Sequence, residues 1–384
     1  MKSKVLLGIE NYEAYDELFK GKRIGLITNP TGMDSNFNST IDILRSKYNL
    51  VALYSPEHGV RASIQAGLSV DTYIDEETGI KVYSLYGKQK KPSKEIMDEI
   101  DIMCIDIQDN GSRYYTFIYT MAYAMMACSE FDKTFVVFDR PNPNSGICEG
   151  THLEIDLYRS FVGYYDIPQR HGLTIGELAL LFNEEFDIHC RLTVVPMIGW
   201  KRNMYFEDTN LPWVIPTPNQ PTVASTVAYN ATCLFEGTNF AEGRGTTTPF
   251  ELIGAPWVNS ERLARELNAY GLKGVHFRPQ WFTPTFSKYQ GELCGGVFVH
   301  ITDRKKFEAV KTNLVLLHHI RNTYPEHFKI NDPYVPGRPT LFHYEVGVKD
   351  IIENKLSLDK QMKLLRKGTN DFKKLREKYL LYRW

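Results

Sequence analysis

Between Arg23 and Pro141 the chain repeatedly spells out an apolar, β-branched run, breaks, and starts again. The runs are RIGLIT (23–28), LVALYS (50–55), KVYSLYG (81–87), IDIMCIDIQD (100–109) and TFVVFDRP (134–141). Most show no regular alternation of apolar and polar residues, so both faces of each strand must be covered. Amphipathic segments such as TIDILRSKY and TFIYTMAYAMMACSEF lie between some of them. Strands of this kind separated by helices predict an α/β fold with a mostly parallel sheet covered on both faces.

The chain has 384 residues, more than one core usually holds, which predicts two lobes. The break between the lobes is expected near residue 190, with residues 1–190 in the first and 191–384 in the second. LTIGELALLFNEEF (173–186) reads as a helix, because Thr174 and Glu177 have capping-box spacing. RLTVVPM from residue 191 and GGVFVHIT (295–302) read as strands. NSERLARELNAYG is a helix with Leu263 and Leu267 one turn apart and Gly271 as its C-terminal stop. The final NDFKKLREKYLLYRW is helical with a solvated charged face. Residues 205–256 are rich in Pro, Asn and Gly and show little periodicity, so they are expected to be long active-site loops.

Charge narrows the function. A net charge of −1 with no basic stripe argues against an electrostatic nucleic-acid binder. No apolar run approaches the length of a membrane span. The patch Val5–Ile9 is too short for a signal-peptide core and meets Glu10 at once, so the expectation is a cytoplasmic protein, or a cell-envelope one whose leader has been removed. The six cysteines are scattered without metal spacing and read as buried small hydrophobes.

Polar residues gather where the strands stop. Thr28 and Asn29 follow the first run; Glu57, His58 and Arg61 follow the second. Asp106, Asp109, Arg113 and Tyr114 end the fourth, and Asp139, Arg140 and Asn142 the fifth. Open α/β sheets bind ligands outside the carboxyl ends of their strands, so these clusters predict one site built from loops. The irregular middle adds Asn219 in PTPNQPT, and Glu236, Asn239, Glu242 and Arg244 in CLFEGTNFAEGRGTTTPFELIGAPW. Structural roles compete: Asp139 with Arg140 would make an ion pair, Asp106 would brace a loop, and His171 precedes a helix cap. Glu57, between Pro56 and a glycine turn, has no such alternative. G-x-x-x-x-G-K-[ST], a G-x-G-x-x-G after the first strand and G-x-S-x-G are all missing, which speaks against a P-loop, a dinucleotide site and an α/β-hydrolase serine. No metal spacing stands out, and no cofactor is expected.

The strings TNPTG, SPEHGVR, YSLYG, DIQDNGSRYYTF, DRPNPNSG, RHGLTIGELA, LPWVIPTPNQPT, the 233–257 segment and ITDR occur in this order. In that order they resemble the exo-β-N-acetylmuramidase (NamZ-type) family, from about residue 5 to the C-terminus. The sequence departs from the pattern at Ala62 and at Asn230–Ala231, and the match thins between about 330 and 345. The resemblance implies that residues 1–190 form a Rossmann-like lobe and 191–384 a smaller α/β lobe, with the active-site cleft between them, and that the protein is a glycosidase removing N-acetylmuramic acid from non-reducing ends of peptidoglycan fragments. It places the favoured catalytic glutamate on Glu57.

Glycoside cleavage needs an acid on the leaving oxygen. The expected catalytic set is Glu57 as that acid, His58 orienting it, and Asp109 as the second group, with Asp106, Glu242 or the substrate's own acetamido as alternatives. Asn29, Arg61, Asp106, Arg113, Tyr114, Arg140, Asn219, Glu236, Asn239, Glu242 and Arg244 are the expected substrate contacts, Arg61 or Arg244 taking the lactyl carboxylate. Tyr114, Tyr115 and Trp257 are either sugar-stacking or core aromatics. Two other readings fit the same residues: a non-catalytic muropeptide binder, and an esterase or amidase using His58 with a metal.

Overall fold

The computed structural model describes residues 5–57, 59–61, 72–87 and 90–384. Seven strands form the main sheet: β1 (Arg23–Thr28), β2 (Asn49–Ser55), β3 (Tyr73–Ile74), β4 (Lys81–Ser84), β5 (Ile102–Asp106), β6 (Thr134–Phe138) and β7 (Arg191–Val195). Their order is β3-β4-β2-β1-β5-β6-β7. Only the short β3 runs antiparallel to its neighbour. Without it, the remaining six strands follow the doubly wound Rossmann order, which reverses between β1 and β5.

Both faces are covered, which explains the unbroken apolar runs. Leu26, Leu53 and Cys104 point into one core with Ile41 and Leu44 of the helix Thr40–Lys47. Ile27, Met103 and Ile105 point into the other, under the helices Phe117–Glu130 and Ile175–Glu185. The second of those helices starts with the expected capping box: Glu177 N donates to Thr174 Oγ1 (3.2 Å) and Thr174 N to Glu177 Oε2 (3.0 Å).

The smaller lobe carries an antiparallel sheet of β8 (Leu252–Ala255), β9 (Val275–Phe282) and β10 (Cys294–Ile301), in the order β8-β10-β9. The helices Ser260–Asn268 and Ala309–Thr323 share its core. Leu263 and Leu267 are buried there, and Gly271 takes the left-handed φ of +62° expected after a helix end. All six cysteines are free and buried. Among the described residues no helix is long and apolar enough to cross a membrane.

Two expectations need correction. The boundary does not fall at 190, because β7 pairs in parallel with β6 and completes the first sheet. The chain's end also returns to that lobe: Phe372 and Tyr379 enter its core, and Tyr382 donates its hydroxyl to Asp139 Oδ2 (2.5 Å). The stretch 205–256 is not all loop either. It contains the helix Val223–Thr232, capped by Thr222, with nine of its ten residues buried. A helix buried all round has no amphipathic period to read.

Candidate active site

The switch point between β1 and β5 is where a Rossmann sheet usually admits its ligand. Here the chain fills it. Arg140 donates to both oxygens of fully buried Asp106 (2.5 and 3.0 Å), and Thr40 Oγ1 donates to Asp106 Oδ2. Thr28 Oγ1 donates to the Asp106 carbonyl (2.9 Å). The loop closes this tightly because residue 32 is glycine; a Cβ there would sit 2.0 Å from Thr28 Oγ1. The gap left beside Arg140 is about 20 Å³, far too small for a sugar.

The sugar-sized space lies to one side, above β4, β2 and β5, and extends to the second lobe. It is a cleft of about 720 Å³. On its first-lobe wall Glu57 follows β2, Tyr86 follows β4, and Tyr114, Tyr115 and Thr116 follow β5. Thr116 precedes the helix Phe117–Glu130 but caps none of its amides. Its hydroxyl donates to Glu57 Oε2 instead (2.8 Å). Burial first, and then the nearby Glu57 carboxylate, hold the Tyr86 hydroxyl above its ordinary range. Lys90 also lines this wall, its Nζ 4.2 Å over the Phe161 ring, and burial holds it below the ordinary lysine value.

The second-lobe wall carries Glu236, Arg244 and Glu345 beside Tyr229, Phe250 and Tyr334. Arg244 Nη1 is 2.8 Å from Glu236 Oε2 and 3.1 Å from Glu242 Oε1, and the guanidinium lies over Phe250. Behind it, Lys288 Nζ is 2.7 Å from Glu242 Oε2. Burial opposes a charge on Glu242, but Lys288 and Arg244 outweigh it and keep its pKa below the usual carboxylate value. Glu345 is the opposite case. Burial, reinforced by the charge of Glu236, pushes its pKa well above the usual range and so disfavours its charged form. Cys233 Sγ lies 3.7 Å from its Oε1, while its buried Oε2 has no protein hydrogen-bond partner.

Cys233, Glu236 and Glu345 converge closely enough to suggest a metal site. Their chemistry does not fit one. Arg244 already supplies the positive charge to Glu236, and burial raises the pKa of both the Cys233 thiol and the Glu345 carboxyl, opposing the deprotonation a metal ligand needs.

Of the residues expected from sequence, Glu57, Tyr114, Asn219, Glu236 and Arg244 line this cleft. His58 lies outside the described residues. The others are placed elsewhere. Asp109 is buried behind the wall, its Oδ2 accepting from Gly111 N (2.7 Å) and 3.2 Å from His171 Nε2. Asn29 braces its own turn through Thr31 N (2.9 Å). Exposed Arg61 pairs with Asp75 (3.0 Å). Arg113 is wholly buried and donates to the Glu345 carbonyl. The Arg140 guanidinium pairs with Asp106, so the expected Asp139–Arg140 ion pair is not formed; Asp139 instead accepts from Thr174 Oγ1 and Gly176 N (both 2.8 Å) and from the Arg140 backbone N (3.0 Å). Asn239 holds Lys329 N and the His327 carbonyl (both 2.8 Å), and Glu242 stands behind Arg244. Trp257 stacks on His327 away from the cleft. Sequence reasoning missed Tyr86, Lys90, Thr116 and Glu345. Tyr86 was visible in YSLYG and Thr116 in the DIQDNGSRYYTF string; Lys90 was hidden in a basic run and Glu345 in the stretch where the family match thins.

Fold and cleft together define a two-lobed α/β enzyme. Family models for the N-terminal and C-terminal parts of exo-β-N-acetylmuramidase NamZ match residues 24–224 and 227–382. The chain is 52% identical to the peptidoglycan beta-N-acetylmuramidase NamZ of Bacillus subtilis (strain 168), over 99% of this chain and 92% of that protein. Two crystal structures of DUF1343 family proteins from Bacteroides fragilis NCTC 9343 are similar over 99% of both chains. One has a TM-score of 0.91 at 39% identity, the other 0.78 at 33%. The chain belongs to the exo-β-N-acetylmuramidase NamZ family.

Proposed function

We propose that the protein is an exo-acting glycosidase that releases N-acetylmuramic acid from the non-reducing ends of peptidoglycan fragments. The observation that carries this reading is the 52% identity, over nearly the whole chain, to the Bacillus subtilis muramidase. The cleft suits the chemistry. Glu57 is a carboxyl at a strand end, fixed by Thr116 and facing a space of sugar size. In this reading it protonates the leaving oxygen.

The second group is then sought among the cleft's other carboxyls, which among the described residues are Glu236 and Glu345. Glu236 is committed to Arg244, and burial disfavours the carboxylate form of Glu345. Neither is suited to act as nucleophile or base. That favours attack by the substrate's own 2-acetamido oxygen, with retention at the anomeric carbon.

The test is hydrolysis of a chromogenic β-N-acetylmuramide beside the β-N-acetylglucosaminide, with the product anomer followed by NMR. Release from the muramide, lost in Glu57→Gln, supports the reading. Release from neither sugar would favour a muropeptide-binding protein instead, and an inverted product would require a second carboxyl.

A further inference from the structure

We propose that Lys90, rather than any of the arginines, binds the carboxylate that distinguishes an N-acetylmuramoyl from an N-acetylglucosaminyl group. The inference rests on the muramidase reading above.

A carboxylate-bearing sugar needs a cation that is in the cleft and not already neutralised. The arginines near the motif loops fail one condition or the other. Arg61 is paired with Asp75, and Arg140 with Asp106. Arg113 is sealed in the core against the Glu345 carbonyl. Arg244 does line the cleft, but its one guanidinium serves two carboxylates, Glu236 and Glu242. An anion arriving there would have to displace a glutamate or share its charge.

Lys90 meets both conditions. Among the described residues it and Arg244 are the cleft's cationic side chains. Its neighbour Lys91 is paired with Glu130 on the surface, whereas Lys90 turns inward over Phe161. The ring meets one side of the ammonium, which has three N–H groups to direct. Tyr86, Phe161 and Val162 line the same wall, so an ion pair formed there would be shielded from water. Glu57 lies near enough for its charge to oppose the effect of burial on Lys90. The ammonium and the acid therefore stand on the same wall, as needed if one holds the sugar's carboxylate while the other reaches its glycosidic oxygen.

The test is calorimetric binding of free N-acetylmuramic acid and N-acetylglucosamine to wild type, Lys90→Met and Lys90→Arg. It is run beside KM and kcat on the two chromogenic glycosides. Lys90 is partly exposed, and a thermal melt checks that each variant is folded. The expected result is a loss of roughly tenfold to a hundredfold in affinity for the muramic acid in Lys90→Met, the worth of one charge-assisted bond. KM for the muramide should rise in parallel while kcat moves little, the glucosaminide constants should shift far less, and Lys90→Arg should recover most of the loss. A Lys90→Met protein that keeps the full preference for the carboxylate-bearing sugar overturns the proposal, even with wild-type muramidase activity intact. If wild type hydrolyses neither glycoside, the binding data still decide: dependence on Lys90 upholds the proposal, and a wild type that does not favour the muramic acid overturns it.

Discussion

Thr116 Oγ1 donates a 2.8 Å hydrogen bond to Glu57 Oε2, tying the start of a helix to the end of β2. A threonine before a helix would normally satisfy one of its free amides. This one makes no such bond, and its hydroxyl fixes the orientation of the carboxyl in the cleft. Thr116→Val should therefore lower kcat up to about tenfold, the worth of one hydrogen bond, with little change in KM. Thr116→Ser should keep the activity. Glu57→Gln should cost roughly 10²- to 10⁴-fold in kcat, as expected for loss of a general acid, while still binding the sugar. Steady-state kinetics on the chromogenic muramide check all three.

Glu345 offers a prediction about pH. Burial and the charge of Glu236 raise its pKa well above 4.5, in a cluster that also holds Arg244 and Lys288. A carboxyl whose pKa is raised on folding contributes stability below its unfolded value and loses it as pH climbs through its folded value. Wild type should thus become less stable toward alkaline pH. Glu345→Gln replaces the carboxyl by a neutral amide of the same shape that does not titrate. It should flatten that slope and change stability near pH 5 by no more than about 1 kcal/mol. Urea unfolding at several pH values is the measurement, and an unchanged slope would show that Glu345 is not the group responsible.

The sheet was legible because its strands are covered on both faces, so each wrote itself as an apolar run. The Thr174–Glu177 cap was legible because capping is local. The helix Val223–Thr232 was not, since burial on every side erased its period. The site was half legible. Polar residues at strand ends pointed to the right end of the sheet, but not to which of them face the cleft. Asp106 and Arg140 look like ligands in sequence, yet they fold into each other and plug the switch point. Whether a charged side chain meets a partner or open space depends on contacts across lobes, and spacing along the chain does not encode these. Glu345 is the clearest case: its neighbours Cys233 and Glu236 stand more than a hundred residues away.

Half-buried Lys288 pairs with the buried carboxylate of Glu242, and removing the lysine should be expensive. Lys288 Nζ also donates to the carbonyls of Phe235 (2.7 Å) and Phe240 (3.2 Å), so it fastens the loop that presents Arg244. Lys288→Met leaves the Glu242 carboxylate buried with Arg244 alone. It should cost about 3–5 kcal/mol, the usual result of breaking a buried pair on one side. Lys288→Met with Glu242→Gln should be less damaging than Lys288→Met by itself. Because the Glu242 pKa is depressed, its contribution is present above the unfolded value near 4.5 and fades as pH falls through the lower folded value. Chemical unfolding of the three proteins at pH 7 and pH 4 tests both statements.

His152 links the final helix to the first lobe. Its Nδ1 is 2.9 Å from Asp166 and its Nε2 2.9 Å from Asp371, which lies on the helix Leu358–Arg376. Partial burial disfavours the charged ring, but the hydrogen bonds to Asp371 and Asp166 outweigh it and raise its pKa above 6.5. A histidine raised on folding stabilises fully below its unfolded value and loses that contribution as pH rises through its folded value. The melting temperature should therefore fall as pH is raised through the range just above 6.5. The fall should shrink in His152→Asn and in high salt, because the site is half exposed and screened. The docking of the last helix should loosen in the same window. Amide exchange along residues 358–376, followed on both sides of the transition and corrected for the base-catalysed intrinsic rate, should show lower protection on the alkaline side in wild type. In His152→Asn the protection on the two sides should be alike, and a wild-type helix equally protected at both pH values would rule out the link.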